Sequence, residues 1–150
     1  MTRGNARELA VHLIYERCFT GADPETTVVT RLNKDYYARL AAENHVYTDS
    51  PNSTQKAYIR SVVSGVANRE EELNELIQKY SVEWDISRIS RLARSVMQLA
   101  IFEILYVEDV PAGVAISEAV RIVKLYDGND TSAFVNGILG AFVRELEVQE

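Results

Sequence analysis

The sequence predicts an all-α fold of six to eight helices packed around a central one. Three observations carry that prediction. Apolar residues recur at three- and four-residue spacing along most of the chain, no segment alternates with a period of two, and the stretch from Ser95 to Val107 is apolar around most of a helix's circumference.

Taken in order, Ala6, Leu9, Ala10, Leu13 and Ile14 place one stripe on a first helix, which Gly21 stops. Asp23-Pro24-Glu25 then supplies a capping oxygen, a proline for the first turn and an early acid. Val28, Leu32, Tyr36 and Leu40 follow at intervals of four, although the β-branched run from Thr26 to Thr30 weakens the helical signal. Asp49-Ser50-Pro51-Asn52 is a turn cluster, so the region from Asn44 to Asn52 reads as a loop.

Ser53 or Thr54 can cap a third helix. Its stripe runs through Ile59, Val62, Val63 and Val66, then Leu73, Leu76, Ile77 and Tyr80, as one long helix or two joined by a bend. Trp84 and Ile86 look like anchors of a connecting segment, and Ile89, Leu92 and Val96 continue at helical spacing. Only Ser95, Gln98 and Glu103 are polar between Ser95 and Val107, so this helix must be surrounded by others. Pro111 lets a helix begin near Ala112, burying Ile116, Ala119, Val120 and Val123 until Gly128 closes it. Asp130, Thr131 or Ser132 caps a last helix with the stripe Val135, Ile138, Leu139, Phe142 and Leu146.

Composition narrows the function classes. With 150 residues, 47% of them hydrophobic and 25% charged, the chain reads as one globular domain over residues 1–150, not as a disordered or fibrous protein. The apolar stretch is too short to cross a bilayer, and Arg3-Gly4-Asn5 does not open a signal peptide, so no membrane association is expected. A lone cysteine, Cys18, excludes an internal disulfide and fits a reducing, cytoplasmic setting. His12, His45 and Cys18 are too few soft ligands for a structural zinc, so neither metal nor cofactor is expected.

Reactive groups do not cluster in the sequence. Phosphate-cradling glycine loops and H-E-x-x-H are missing, His12 falls off the apolar stripe and reads as exposed, and Cys18 has no nearby histidine, so no catalytic residue is assigned. Gly137 and Gly140 form a GxxG inside an apolar stripe, which reads as close approach by a neighbouring helix. A net charge of −6 speaks against a generic polyanion binder. Charge is nevertheless uneven: Arg88, Arg91 and Arg94 form a basic stretch, and five glutamates between Glu70 and Glu83 an acidic one. These are either ordinary solvated faces or a dipolar binding surface. Arg3 and Arg7, four residues apart on the first helix, with Tyr15 two turns further, offer phosphate and stacking contacts for unpaired RNA. The alternative leaves Arg7 paired with Glu8 or Glu25 and Tyr15 in the core.

Several ordered segments give the chain a further resemblance. Ala6-Arg7-Glu8-Leu9-Ala10 leads to Leu13-Ile14-Tyr15, followed by Trp84-x-Ile86-x-Arg88-Ile89 and Leu99-Ala100-Ile101-Phe102-Glu103-Ile104. Val110-Pro111 through Ile116-Ser117-Glu118-Ala119-Val120 comes next, and Ser132-Ala133-Phe134-Val135-Asn136-Gly137-Ile138-Leu139 last. In order and spacing, from residue 3 to about residue 143, the chain resembles the NusB family of bacterial transcription antitermination factors. The resemblance implies two small helical bundles. It also implies binding of single-stranded boxA RNA together with the ribosomal protein NusE, alongside other Nus factors and RNA polymerase, chiefly in ribosomal RNA operons.

By position, the resemblance gives Arg3, Arg7, Tyr15, Asp130 and Phe134 as RNA contacts, and Tyr15, Arg94 and Asp130 as partner contacts. Asp130 would be an acidic cap and Phe134 a stacking ring, while Asn136 and Gly137 would be structural, a buried amide and a close helix contact. Gly4 and Asn5 stand where relatives often carry basic residues, which implies weaker electrostatic affinity. Ala93 and Gln98 replace an acid and an arginine, which bears on the NusE contact. Two other readings fit: a homodimeric helical protein with weak or occluded RNA binding, and a stand-alone relative of the N-terminal domain of ribosomal RNA cytosine methyltransferases. A module that precedes the catalytic part of such a methyltransferase would instead predict several hundred further residues with a cofactor-binding fold.

Overall fold

The computed structural model describes residues 1–41, 43–81 and 85–149. Every regular element among the described residues is helical. The chain divides into two compact units, residues 1–68 and 69–150, each with its own core.

The first unit is built on α1 (Arg3–Thr20), which packs against α4 (Ser53–Asn68) and α2 (Pro24–Arg31). Thr2 caps α1 by accepting the Asn5 N–H at 3.0 Å, and Gly21 ends it in the left-handed region at φ 65°, its N–H reaching the Arg17 carbonyl. The stripe of Ala6, Leu9, Ala10, Leu13 and Ile14 is buried as its spacing predicts. Asp23 and Pro24 start α2 as expected, and hydrogen bonds from Thr26 and the helix N–H groups hold the Asp23 carboxyl below its ordinary range. The expected continuation through Tyr36 and Leu40 is corrected. Asn33 accepts the Asp35 and Tyr36 N–H groups at 3.2 and 3.3 Å and starts a separate α3 (Lys34–Leu40). The new phase turns Tyr37, not Tyr36, inward.

The segment read as a loop contains a 3₁₀ turn, His45–Thr48, with Val46 and Tyr47 buried. Burial pushes the Tyr37 hydroxyl up to about 12 as it bonds the carbonyls of Asp49 and Val46 at 2.6 and 3.1 Å. Tyr47 receives Arg31 at 2.8 Å and lies 3.0 Å from Nδ1 of His12. Arg31 also pairs with Glu16 at 2.9 Å. His12 is therefore half-buried in a polar network, which corrects its reading as an exposed residue. The cap of α4 is Asn52 instead of Ser53 or Thr54: Asn52 and Gln55 each accept the other's backbone N–H at 2.9 Å. Of the two options for the long stripe, two helices is the outcome, with Arg69 between α4 and α5 (Glu70–Tyr80).

In the second unit α6 (Arg91–Tyr106) packs against α5, α7 (Ala112–Asp127) and α8 (Asn129–Gln149). Every residue of α6 from Ser95 to Glu103 is buried. Met97, Leu99 and Ile101 are almost fully enclosed, each contributing roughly 1.5–3 kcal/mol by burial. Its polar groups are accommodated inside: Ser95 donates to the Arg91 carbonyl and Gln98 to Asn74 of α5, both at 2.8 Å. On α7 the buried residues are Ala115, Ala119, Ile122 and Val123, while the expected Ile116 and Val120 are half-buried. On α8, Val135, Ile138, Leu139 and Phe142 are buried as expected and Leu146 is half-buried. The expected anchor Trp84 lies outside the described residues.

Burial lowers the His12 pKa from 6.5 to about 4, against the opposing pull of Glu8. Because the folded value is depressed, the unfolded chain takes up the proton first, and stability falls as pH drops from about 6.5 towards 4. The stability advantage of wild type over His12→Gln should shrink by about 3 kcal/mol between pH 7 and pH 4. Urea denaturation at both pH values measures it; a pH-independent difference would show that His12 titrates normally.

Candidate nucleic-acid interface

In the first unit, the candidate residues lie along α1. Arg3 is exposed, with its guanidinium 4.2 Å from the centre of the Tyr58 ring on α4. Tyr15 is 37% exposed and meets Phe19, 58% exposed, edge to face at 5.0 Å. Twelve residues of helix put Arg3 and Tyr15 roughly 18 Å apart along the axis. Arg7 does not share the outward face with Tyr15. It is 5% exposed, and every residue of α1 from Ala6 to Val11 is buried, so its expected role as an outward phosphate contact is corrected: the packing around this part of α1 encloses it. The alternative that puts Tyr15 in the core is corrected too, since Tyr15 is 37% exposed, and Glu25 is paired with Arg60 at 3.0 Å.

In the second unit, the start of α6 and the start of α8 bound an open cleft of about 410 Å³ lined by Arg88, Ile89, Ser90, Asp130, Thr131 and Phe134. Its construction follows from short polar signals. The Asp85 carboxylate accepts the Ser87 N–H at 2.9 Å, which holds it below its ordinary pKa and shapes the 3₁₀ turn Ile86–Arg88. Ile89 is buried and fixes the chain beyond the turn, leaving Arg88 exposed. The Ser90 hydroxyl accepts the Ala93 N–H at 3.0 Å and donates to Asp127 at 2.7 Å, so one side chain caps α6 and ties it to the end of α7.

Gly128, at φ 88° and ψ −176°, turns the chain directly into α8. That helix begins at Asn129, so Asp130 is an acid of its first turn, favourably placed on the helix dipole, and not the cap. Ser132 donates to the Asn129 carbonyl at 2.8 Å. Phe134 is half-buried, unlike the enclosed Val135, Ile138 and Leu139. Arg94, expected to contact a protein partner, is half-buried in the first turn of α6.

The structure thus brings Asp130 and Phe134 together and adds Arg88, Ser90 and Thr131, which the sequence reading did not select. The signal for Arg88 was present in the basic stretch it opens. Two other expectations are corrected. Asn136 and Gly137 are exposed, and a side chain at Gly137 would meet nothing within 4 Å, so neither a buried amide nor a close helix contact exists there. At Gly140 the neighbour of an added Cβ would be Arg144 of the same helix, at 3.3 Å, and not a second helix. Among the described residues no group of three or more His, Cys, Asp or Glu side chains is arranged to hold a metal, and no helix is long and apolar enough to cross a membrane.

Two helical units, the second with an open cleft that joins an aromatic ring, hydroxyls, one arginine and one aspartate, define an all-α protein of two small bundles. The NusB family model matches residues 4–144, and the chain belongs to that family. It is 33% identical over 147 residues to the transcription antitermination protein NusB of Symbiobacterium thermophilum, covering 98% of this chain and 92% of that one. Among solved structures it is similar to T. maritima NusB, with a TM-score of 0.80, 26% identity and coverage of 97% and 92% of the two chains. The fold is also that of a chain in a complex of antitermination factors NusB and NusE with double-stranded RNA, at TM-score 0.74, 22% identity and coverage of 95% and 96%.

Replacing Ser90 with alanine removes the α6 cap and its tie to Asp127 together, at an expected cost of about 1–2 kcal/mol. Chemical denaturation of Ser90→Ala against wild type measures this, and an unchanged midpoint would mean that the hydroxyl is dispensable.

Proposed function

We propose that this chain is a transcription antitermination factor that binds single-stranded boxA RNA together with NusE and helps RNA polymerase read through terminators in ribosomal RNA operons, with other Nus factors. Family membership supports the antitermination role. The observation that carries the RNA contact is Phe134. It flanks the buried stripe of α8 and is only half-buried, in a cleft beside Asp130 and Thr131. A ring in that setting stacks on a base that has left a duplex, which separates unpaired RNA from paired.

In the first unit, Arg3 and Tyr15 remain the proposed RNA contacts, Arg3 through charge and Tyr15 through its exposed ring. Tyr15, Arg94 and Asp130 remain the proposed contacts for NusE. The net charge of −6 implies that the chain alone gathers few phosphates, so NusE supplies part of the affinity. A boxA oligonucleotide titrated with and without NusE should bind more tightly in its presence, and equal affinities would remove NusE from the reading. Phe134→Ala should weaken boxA binding by roughly 1–3 kcal/mol while leaving the fold intact. A large fall in melting temperature with unchanged affinity per folded molecule would reassign Phe134 to the core.

Self-association is a second reading, favoured by the exposed Tyr15–Phe19 pair. Sedimentation of wild type and Phe19→Ser decides it, since an apolar contact between copies weakens when Phe19 is replaced.

A further inference from the structure

We infer that the cleft of the second unit is a seat for one unpaired nucleotide, in which Phe134 carries the base and Arg88 carries the adjoining phosphate. This rests on the RNA-binding reading and assigns the phosphate contact within it to a specific residue.

The cleft holds the parts that a single nucleotide needs. An aromatic face suits the base, the Thr131 hydroxyl suits sugar or base-edge polar atoms, and a guanidinium suits the phosphate. About 410 Å³ is within the size range of a small-ligand pocket. The turn capped by Asp85 and anchored by Ile89 fixes the backbone from which Arg88 projects, so this charge is aimed and not merely present.

Several of the other arginines have competing engagements. Arg31 is paired with Glu16, Arg60 with Glu25 and Arg121 with Glu118. Arg69 lies over the Tyr106 ring at 4.2 Å, and Arg7 is enclosed. Arg88 is exposed and, among the described residues, makes no ion pair; Asp85 lies near enough to feel its charge, and Asp130 lines the same cleft. Those carboxylates temper the site. A single guanidinium in their company therefore favours one phosphate over a continuous backbone track.

The test is a fluorescence-anisotropy titration of a labelled boxA oligoribonucleotide against the full chain with NusE, across a range of salt concentrations. Arg88→Gln should weaken binding about 3- to 10-fold and reduce the slope of log K against log salt by about 0.7, the loss of one single-strand phosphate contact. Arg88→Lys should keep the wild-type slope, because the charge is retained. Phe134→Ala should lose affinity with an unchanged slope. Arg144→Gln supplies the charge control, ten residues beyond Phe134 on α8 and about 15 Å along its axis, and should change affinity less than twofold.

If wild type and Phe134→Ala behave as expected but Arg88→Gln keeps the wild-type slope and affinity, the Arg88 assignment falls and the RNA-binding reading stands. An Arg88→Gln effect no larger than that of Arg144→Gln overturns it too, since bulk charge then suffices. If wild type does not bind the RNA at all, both fall.

Discussion

Enclosing α6 is the constraint from which the second unit follows. A helix buried without interruption from Ser95 to Glu103 is stable only if α5, α7 and α8 close around it and its polar groups find partners there. Gln98 reaching Asn74 and Ser95 bonding its own helix meet that condition. Because the body of α6 is immobilised by packing, its first residue becomes a fixed reference point. Ser90 uses that point, linking the α6 start to Asp127, and the beginning of α8 follows one glycine later. The cleft is therefore a by-product of closing the core.

The first unit solves its packing differently, and this affects which charges are left for a ligand. Its interior admits polar side chains: Glu8 is fully buried and pairs with His45 at 3.1 Å, while His12, Tyr47, Arg31 and Glu16 form a connected set. Buried polar groups of this kind are costly unless each is satisfied, so the 3₁₀ turn that delivers Tyr47 and His45 is structural, despite reading as loop. Arginines in this unit are largely committed to the fold itself. Arg88 in the second unit differs because a capped turn holds it clear of the core.

The sequence made the helices legible where burial follows one uninterrupted period. The stripes of α1, α6 and α8 lie inside as the spacing indicates. It misled where a local polar signal reset the phase. Asn33 restarts the chain and exchanges Tyr37 for Tyr36, and Asn52 with Gln55 caps α4 ahead of the serine that looked like the cap. Arg7 was illegible for another reason: it lies off the stripe of Ala6 and Leu9, and it is enclosed only because α1 is buried all round from Ala6 to Val11. Asp130 and Phe134 were found through resemblance and are neighbours in the cleft, but Arg88 is remote from them in sequence and joins them only through tertiary structure. Gly137 shows the converse: small residues in an apolar pattern suggested intimate packing, and the space beside it is open.

Gly128 lies at a backbone conformation that side chains bearing a Cβ adopt only under strain, although nothing within 4 Å would obstruct one. Its requirement is purely torsional. A variant there would keep every neighbour chemically intact and still strain the turn from which Asp130, Thr131 and Phe134 follow. The entry of α8 into the cleft thus depends on a residue that does not line it, and an inventory of contacts alone would pass over it.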